Sequence, residues 1–443
     1  MGLAASAPAG TARADIPQTQ DGPGIKVGQR STLHPGFALI FGADSNVFWT
    51  NRQDRGGVRP AAYTMPTAWI GIGNRKVRDA ILQSPTGKSD RKVDYNLRAS
   101  AGYRAYLARD PDIRQQSRFN FSLDGHFIFA PGRRFSVAFD ESFARLAEPR
   151  NYAAGPDFNY NRIDHRGALT FTLRPGGGRL TLSATYLNEL LYYEASDIFT
   201  ADRLVNGVAT EAKWRFAPRS SLIARYAFNY NYYLCCSETG TGRNEDSFHH
   251  RALFGYRGQV SKKMIVEALA GYGHTDYLYD TVTPANFRGF IGMTTLSYYP
   301  TLRTNVFFQA ERSFHDSLFG NYFADVGGRI GAAHTFRWRM FAALQMAVIG
   351  RRYEGLPVPG QDIATITGYE NVYGDFAGSV ARKDTIFALE SRLEQPLGKL
   401  FVVALRYNLS VESSPFLARY GNGYVDYAGF VKHVAMVIGA VRF

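Results

Sequence analysis

The segment "SLIARYAFNYNYY" alternates without interruption, with Leu222, Ala224, Tyr226, Phe228, Tyr230 and Tyr232 on one side and Arg225, Asn229 and Asn231 on the other. A period of two belongs to an extended strand whose successive side chains point to opposite faces. The pattern returns in "RFNFSLDGHFIF", where Phe119, Phe121, Leu123, Phe127 and Phe129 oppose Asn120, Ser122, Asp124 and His126. It returns again in "RLTLSATYLNE" and "LFVVALRYNLSVE". Helical spacing fits poorly almost everywhere, so the chain is read as all-β.

A chain of 443 residues is too long for one ordinary soluble core. No apolar run is long enough for a helical membrane span. Two classes remain, a large water-soluble β protein and a transmembrane barrel. The slightly negative mean hydropathy fits the second as well as the first, because a barrel alternates apolar residues with lumen-facing polar ones.

The connections separate the two classes. Short turns recur at "PGRR" (131–134), "PGGGR" (175–179), "APRS" (217–220), "SKK" (261–263), "PTLR" (300–303), "RWR" (337–339) and "PLGK" (396–399). Their spacing of about 40 residues matches a hairpin of roughly ten-residue strands plus a longer loop. Between them lie polar stretches such as "EPRNYAAGPDFNYN" and "YEGLPVPGQDIATITGYENVYGD". Strict alternation puts every short turn at one end, the arrangement of an outer-membrane barrel.

The expected strands are 35–48, 63–73, 93–106, 118–130, 134–146, 163–174, 179–192, 205–217, 221–234, 249–260, 264–278, 288–299, 303–316, 323–336, 340–352, 383–395, 400–412 and 427–443. They describe a transmembrane antiparallel β-barrel of about 18 strands (16–20), closed so that no sheet edge meets lipid, with both termini periplasmic. The stretch "NRKVRDAILQSPTGKSDRK" is long for a periplasmic turn and has room for a short helix. Aromatics bunch at strand ends ("YNYNYYL", "LSYYP", "ELLYYE", "FRWRMF"), as in the girdles at the two membrane surfaces.

Strand parity turns a set of charges toward the lumen, since the lipid face excludes them. The candidate lining is Arg98, Arg104, Asp124, Asp140, Arg166, Glu211, Lys213, Arg225, Glu267, Glu311, Arg329, Glu390, Arg392, Arg406 and Lys432, joined by Asp94, Glu189, Arg215, Glu394 and Glu412. Such charges either pair across neighbouring strands and solvate the wall or form rings that select solutes. The net charge of +13 leans toward anionic solutes, although several cations sit in the turns, where lipid head groups meet them.

Other chemistry finds little footing. In "SFHDSLFGN", His315 and Ser317 share one strand face, a pairing that suits a nucleophile and its base. Val306, Phe308 and Ala310 make the even positions the lipid face, so this pair points inward, away from a lipid substrate, and loop-bracing by Asp316 and Ser317 is the expected use. No metal constellation, cofactor motif or nucleic-acid footprint is present, and an enzyme is not expected. The only two cysteines, Cys235 and Cys236, are adjacent in a loop and make no disulfide framework.

The ends carry their own signals. Residues 1–32 read as a residual export signal, with small residues at Ala12–Arg13–Ala14, and a periplasmic tail; 33–443 read as one barrel. "HVAMVIGAVRF" reads as the last strand, with Val431, His433, Ala435, Val437, Gly439, Val441 and Phe443 outward, and Phe443 as an assembly signal.

"HPGFALIFGADSNVFWT", with Gly42, Asp44, Asn46, Val47 and Phe48, resembles the opening of a family of bacterial outer-membrane barrels labelled β-barrel porin 2, and "HDSLFGNYFAD" (315–325) resembles a late hairpin of such barrels. The resemblance implies a passive conduit, with polysaccharide export as the associated role, and its motif residues look structural. The expected function is therefore an outer-membrane channel for polysaccharide export. The alternatives are a general diffusion porin for small, including anionic, solutes, and a structural or adhesive surface barrel. The loop from Glu354 to Asp375 either folds inward as a constriction or stays outside. Expected partners are outer-membrane lipid and lipopolysaccharide, the barrel-assembly machinery and periplasmic polysaccharide-export proteins.

Overall fold

The computed structural model describes residues 22–50, 58–74, 92–147, 161–194, 201–234, 246–278, 286–317, 321–354, 382–415, 417–419, 425–427 and 429–443. A short arm, β1 (Ile25–Val27), precedes β2 (Ser31–Asp44), β3 (Ala61–Gly73), β4 (Val93–Tyr106), β5 (Arg118–Phe129), β6 (Phe135–Leu146) and β7 (Arg162–Leu173). There follow β8 (Leu180–Tyr193), β9 (Arg203–Ala217), β10 (Ser220–Tyr233), β11 (Ser247–Ser261), β12 (Met264–Tyr277), β13 (Arg288–Thr301) and β14 (Thr304–Asp316). The chain continues with β15 (Tyr322–Thr335), β16 (Phe341–Glu354), β17 (Lys383–Leu397), β18 (Phe401–Ser413), the small pair β19 (Leu417–Arg419) and β20 (Val425–Tyr427), and β21 (Phe430–Arg442).

Strands β2 to β18 pair antiparallel in sequence order, and β21 pairs with both β18 and β2, so 18 strands close into a barrel. Closure leaves the sheet without a free first or last edge, which a lipid-embedded sheet requires. The observed strand ends fall within three residues of the periodicity boundaries everywhere except the first strand. That strand runs Ser31–Asp44 rather than 35–48, because residues after Asp44 turn into the mouth of the barrel. The helix anticipated in 75–91 lies outside the described residues, as do Cys235, Cys236 and residues 355–381. A helix found instead is α1 (Pro111–Gln115), begun by the Asp110 side chain accepting from Asp112 N–H and by proline in the first turn.

Tight turns join Ala217 to Ser220, Ser261 to Met264 and Thr301 to Thr304, all at one end of the barrel. The β17–β18 turn at this end places Gly398 at φ +76°, which glycine adopts without strain. The start of β2 and the end of β21 lie at the same end, as alternation of direction requires. Outward-facing Phe129, Phe135, Phe171, Trp214, Phe216, Trp338, Phe401 and Phe443 ring that rim, and Tyr103, Phe119, Tyr192 and Tyr232 stand toward the other. Between them the exterior is dominated by residues such as Phe37, Leu39, Phe41, Val403, Leu405 and Val437, the apolar band of a membrane barrel.

The seam between first and last strands is braced by a buried ion pair at its long-loop end. Lys432 Nζ donates to Asp44 Oδ2 at 2.7 Å and to the Asn46 carbonyl at 2.6 Å, with both charged side chains almost fully buried. The Asp44 side chain also accepts from Asn46 N–H at 3.0 Å and from Tyr106 Oη at 3.3 Å. Asn46 in turn holds the Thr50 N–H and the carbonyls of Thr50 and Val431. Trp49 stands edge-on to Phe430 and beneath the Lys432 ammonium. Gly42 is required by this packing, since a Cβ there would meet the Tyr63 ring at 2.2 Å. The Gly-x-Asp-x-Asn stretch is thus the clasp of the seam. Replacing Lys432 with Met leaves the Asp44 carboxylate buried without a cation and is expected to cost about 3–5 kcal/mol of stability in denaturant unfolding. The double variant Asp44→Asn, Lys432→Met should recover most of that loss.

Candidate functional site

The site is the lumen wall, and the pleat decides what reaches it. Along β4, Asp94, Arg98, Ser100 and Arg104 share the inner face with Tyr106, while Tyr103 faces out. The same parity places Asp124, Asp140, Arg166, Glu189, Glu211, Lys213, Arg215, Arg225, Glu267, Glu311, Arg329, Glu390, Arg392, Glu394, Arg406, Glu412 and Lys432 on the lumen side of their strands.

Many of these charges meet across the ladder. Arg225 Nε lies 2.5 Å from Glu211 and its Nη2 3.4 Å from Glu267, which also takes Arg257 Nη1 at 3.3 Å. Lys213 stands directly opposite Ile223, beside this chain of alternating sign. Arg166 pairs with Glu189 at 3.3 Å, Ser142 Oγ donates to Asp124 at 3.0 Å, and His126 meets Asp140. Arg392 and Arg406 face one another across β17 and β18, a like-charge juxtaposition relieved by Glu394, which contacts Arg392 and lies 3.3 Å from Arg442. Arg104 lies over the Tyr63 ring, and Glu311 accepts from Gln309 at 3.4 Å.

Three groups built around residues outside that lumen set, Arg351, Arg382 and Asp316, prove central at the long-loop end. Arg351 Nε donates to Asp325 at 2.8 Å and its guanidinium covers the Phe323 ring. Arg382 joins Asp384 at 2.8 Å to Glu412 at 3.0 Å and stacks over Tyr353. The third centres on Asp316. Its carboxylate lies 3.0 Å from Arg203 Nη1 and 3.1 Å from His249 Nε2, and accepts from Asn231 Nδ2 at 3.1 and 3.2 Å. Arg203, Asn231 and His249 stand on the inner faces of β9, β10 and β11. Asp316 belongs to β14.

That reach requires a departure from the regular wall. Pairing of β13 with β14 stops at Gly292–Arg312, although β13 begins at Arg288 and β14 runs on to Asp316. Beyond that point the end of β14 turns into the lumen. Phe308 and Arg312 face outward, yet the next even positions, Phe314 and Asp316, are buried. Phe314 stacks on Phe287 with centroids 4.4 Å apart and sits in a cluster with Tyr277, Ile291 and Tyr322. A Cβ on Gly273 would meet the Phe314 ring at 2.5 Å, so the ring lies directly on the inner face of β12. The freed edge is not left bare: Arg251 Nη2 donates to the Phe314 carbonyl at 2.8 Å, and Tyr277 Oη to the Asn321 carbonyl at 2.8 Å.

The corner of β14 and β15 thus lies across the inner faces of β9 to β12. His315 packs on Phe323, with centroids 5.4 Å apart, and Ser317 is buried with its N–H bonded to the Asn321 carbonyl at 3.3 Å. Both stand in the brace of the corner. Strand parity alone puts Asp316 on the lipid face; it is the inward turn that reverses it. Among the described residues no cluster of His, Cys, Asp and Glu is arranged to hold a metal.

No protein-family model matches the sequence, and no curated protein matches it. Solved barrels are similar in extent. OpdQ of Pseudomonas aeruginosa aligns over 93% of this chain and 97% of its own, at 7% identity and a TM-score of 0.45. OccAB3 of Acinetobacter baumannii aligns over 93% and 99%, at 9% identity and 0.45. OccK2 (OpdF) of Pseudomonas aeruginosa, solved in complex with glucuronate, aligns over 93% and 98%, at 10% identity and 0.44. At such distances the solute of this chain has to be read from its own lumen.

The Arg225 chain offers a direct test of that lumen. Replacing Arg225 with Gln leaves Glu211 and Glu267 facing water with one cation fewer. The ratio of cation to anion permeability, read from reversal potentials across a planar bilayer under a salt gradient, should rise by about twofold or more.

Proposed function

We propose that the protein is an outer-membrane channel through which small polar and charged solutes diffuse, with the β14–β15 corner as its constriction. The closed barrel, its apolar band and its aromatic girdles belong to a bacterial outer-membrane protein. A barrel of this strand number is wide enough to enclose water. The observation that carries the reading is the placement of Asp316, held on the inner faces of β9 to β11 by Arg203, Asn231 and His249. An inward-turned segment narrows the passage on the long-loop side, which we place at the cell exterior because the short turns are then periplasmic.

The same feature weighs against polysaccharide export. A glycan chain needs a continuous wide path, and sugar faces favour aromatic platforms. The charge-bearing part of this wall pairs Arg with Asp and Glu, and the aromatics Phe314, Phe323 and Tyr353 are spent on packing the corner. Small solutes pass a charged constriction by exchanging water for wall contacts, which suits these short-range alternating charges.

Single-channel recordings test the constriction. Asp316→Ala removes the latch, and Gly273→Val expels the Phe314 ring from its seat without touching the charges. Both should raise single-channel conductance by about twofold or more, since the wall beneath is wide. Liposome swelling should show entry of small sugars and amino acids and exclusion of dextran by the parent protein. Conductance unchanged in both variants overturns the constriction, and silence in parent and variants alike favours an adhesive or structural barrel.

A further inference from the structure

On β6 and β7 an outward ion pair sits at mid-strand, deeper than the outward His250, His274 and Asp276 toward the long-loop ends of β11 and β12. On β6, Phe135 and Phe139 face outward, and the next outward position is Glu141, midway between the strand's ends at Phe135 and Leu146. Its Oε1 lies 2.6 Å from Nε2 of His165, which shares the outward face of β7 with Phe171 and Leu173. Glycines flank the carboxylate on both sides: Gly125 of β5 and Gly167 of β7 stand directly opposite Glu141. A Cβ on Gly167 would lie 3.2 Å from Glu141 Oε2, so the carboxylate rests over bare backbone in a shallow notch.

The polar row continues in register while climbing toward the long-loop end, where Asn206 is the fourth residue of β9. Gly167 pairs with Asn188, and Asn188 with Asn206, both outward. Asn188 Nδ2 donates to Asn206 Oδ1 at 2.9 Å, and Tyr186 Oη donates to the same oxygen at 2.8 Å. Those bonds converge on one acceptor, the Asn206 side-chain oxygen. At the seam, by contrast, the same belt is built from Phe37, Leu39, Leu405 and Val437.

Acyl chains offer neither donor nor acceptor, so polar groups set among them lose hydrogen bonds that water would have made. Head groups end at the aromatic girdles and do not descend to mid-strand. The occupant with hydrogen-bonding side chains at that depth is another membrane-embedded protein, and small residues beside polar ones are what lets two such surfaces approach and bond. The patch places an acid beside a base. A two-fold axis along the membrane normal would set Glu141 of one copy against His165 of the other at matching depth, the self-complementarity of an isologous contact. All copies insert with one orientation, which gives every copy this patch at the same level.

We propose that the protein self-associates in the membrane through the outward faces of β6 to β9, with Glu141 and His165 as the polar centre of the contact and Asn188 and Asn206 at its long-loop edge. The proposal is independent of what passes through the lumen, because none of these side chains faces it.

Native mass spectrometry of the full chain extracted in mild detergent reads the copy number directly. Two paired variants, Glu141→Leu with His165→Leu and Asn188→Leu with Asn206→Leu, put leucine at outward positions, where the lipid face accommodates it, and so do not oppose barrel folding. Heat-modifiable gel mobility reports that each barrel is folded, and single-channel conductance per barrel should stay as in the parent. The expected result is an assembly of more than one copy for the parent and at least a tenfold loss of assembled fraction in folded variants. A parent that runs as a monomer overturns the proposal. So does an assembly that both folded variants retain, and so does a parent found only with a different protein bound.

Discussion

Everything in this molecule follows from the closure of one hydrogen-bonded ladder. A sheet surrounded by lipid cannot leave an N–H or carbonyl unpaired, so the first and last strands must find one another across the whole sequence. The nine-residue register from Gly36–Arg442 to Asp44–Val434 does this. At its mouth, where water and loops meet the ladder's end, Asp44 and Lys432 bring charge from the two ends of the chain into one buried cluster. A buried pair of this kind is weak evidence of net stability, because both ions lose their water. Its value lies in register: a slip of one residue would turn one of Lys432 and Asp44 away from the other and toward lipid, where it cannot stay ionised cheaply.

Most of this architecture was legible because a barrel writes its fold locally. Each strand carries its own period of two, each short turn its own Pro, Gly or basic residue, and neighbours in sequence are neighbours in space. Strands such as β4, expected at 93–106, coincide with the structure for that reason. The misplaced first strand shows where local reading fails. "DSNVF" continues the apolar alternation on paper, but the Asp44 side chain takes the Asn46 N–H and begins a turn, a choice that depends on Lys432 arriving from the far end of the chain. The five residues of α1 are too few to show a period; its only sequence signals are the cap at Asp110 and the proline after it.

The lumen was partly legible. Parity alone directs Arg225, Glu211 and Glu267 to one face, and cross-strand register brings them together. Arg203 stands at a strand end, where alternation offers too few neighbours to assign a face. Parity puts Asp316 on the opposite face from the one it occupies. Its position depends on the backbone leaving the wall after Arg312, which no periodicity encodes. A faint signal existed in the pairing of Gly273, a missing side chain on an inner face, with Phe314, an aromatic where no lipid contact follows.

The inward corner also explains how a rigid wall can carry a passage with defined properties. The ladder fixes the barrel's width, and side chains on its inner face can trim that width only by their own length. Turning a strand end inward adds a second layer, and the second layer needs its own core and its own charge balance. Phe314, Phe287, Tyr277 and Tyr322 supply the core. Arg203 and His249 face Asp316, and Arg251 takes the carbonyl that β13 no longer bonds. The corner is held by side chains where the wall is held by backbone. Substitution there can therefore reshape the passage without opening the barrel, and the functional variability of such a channel belongs in those contacts.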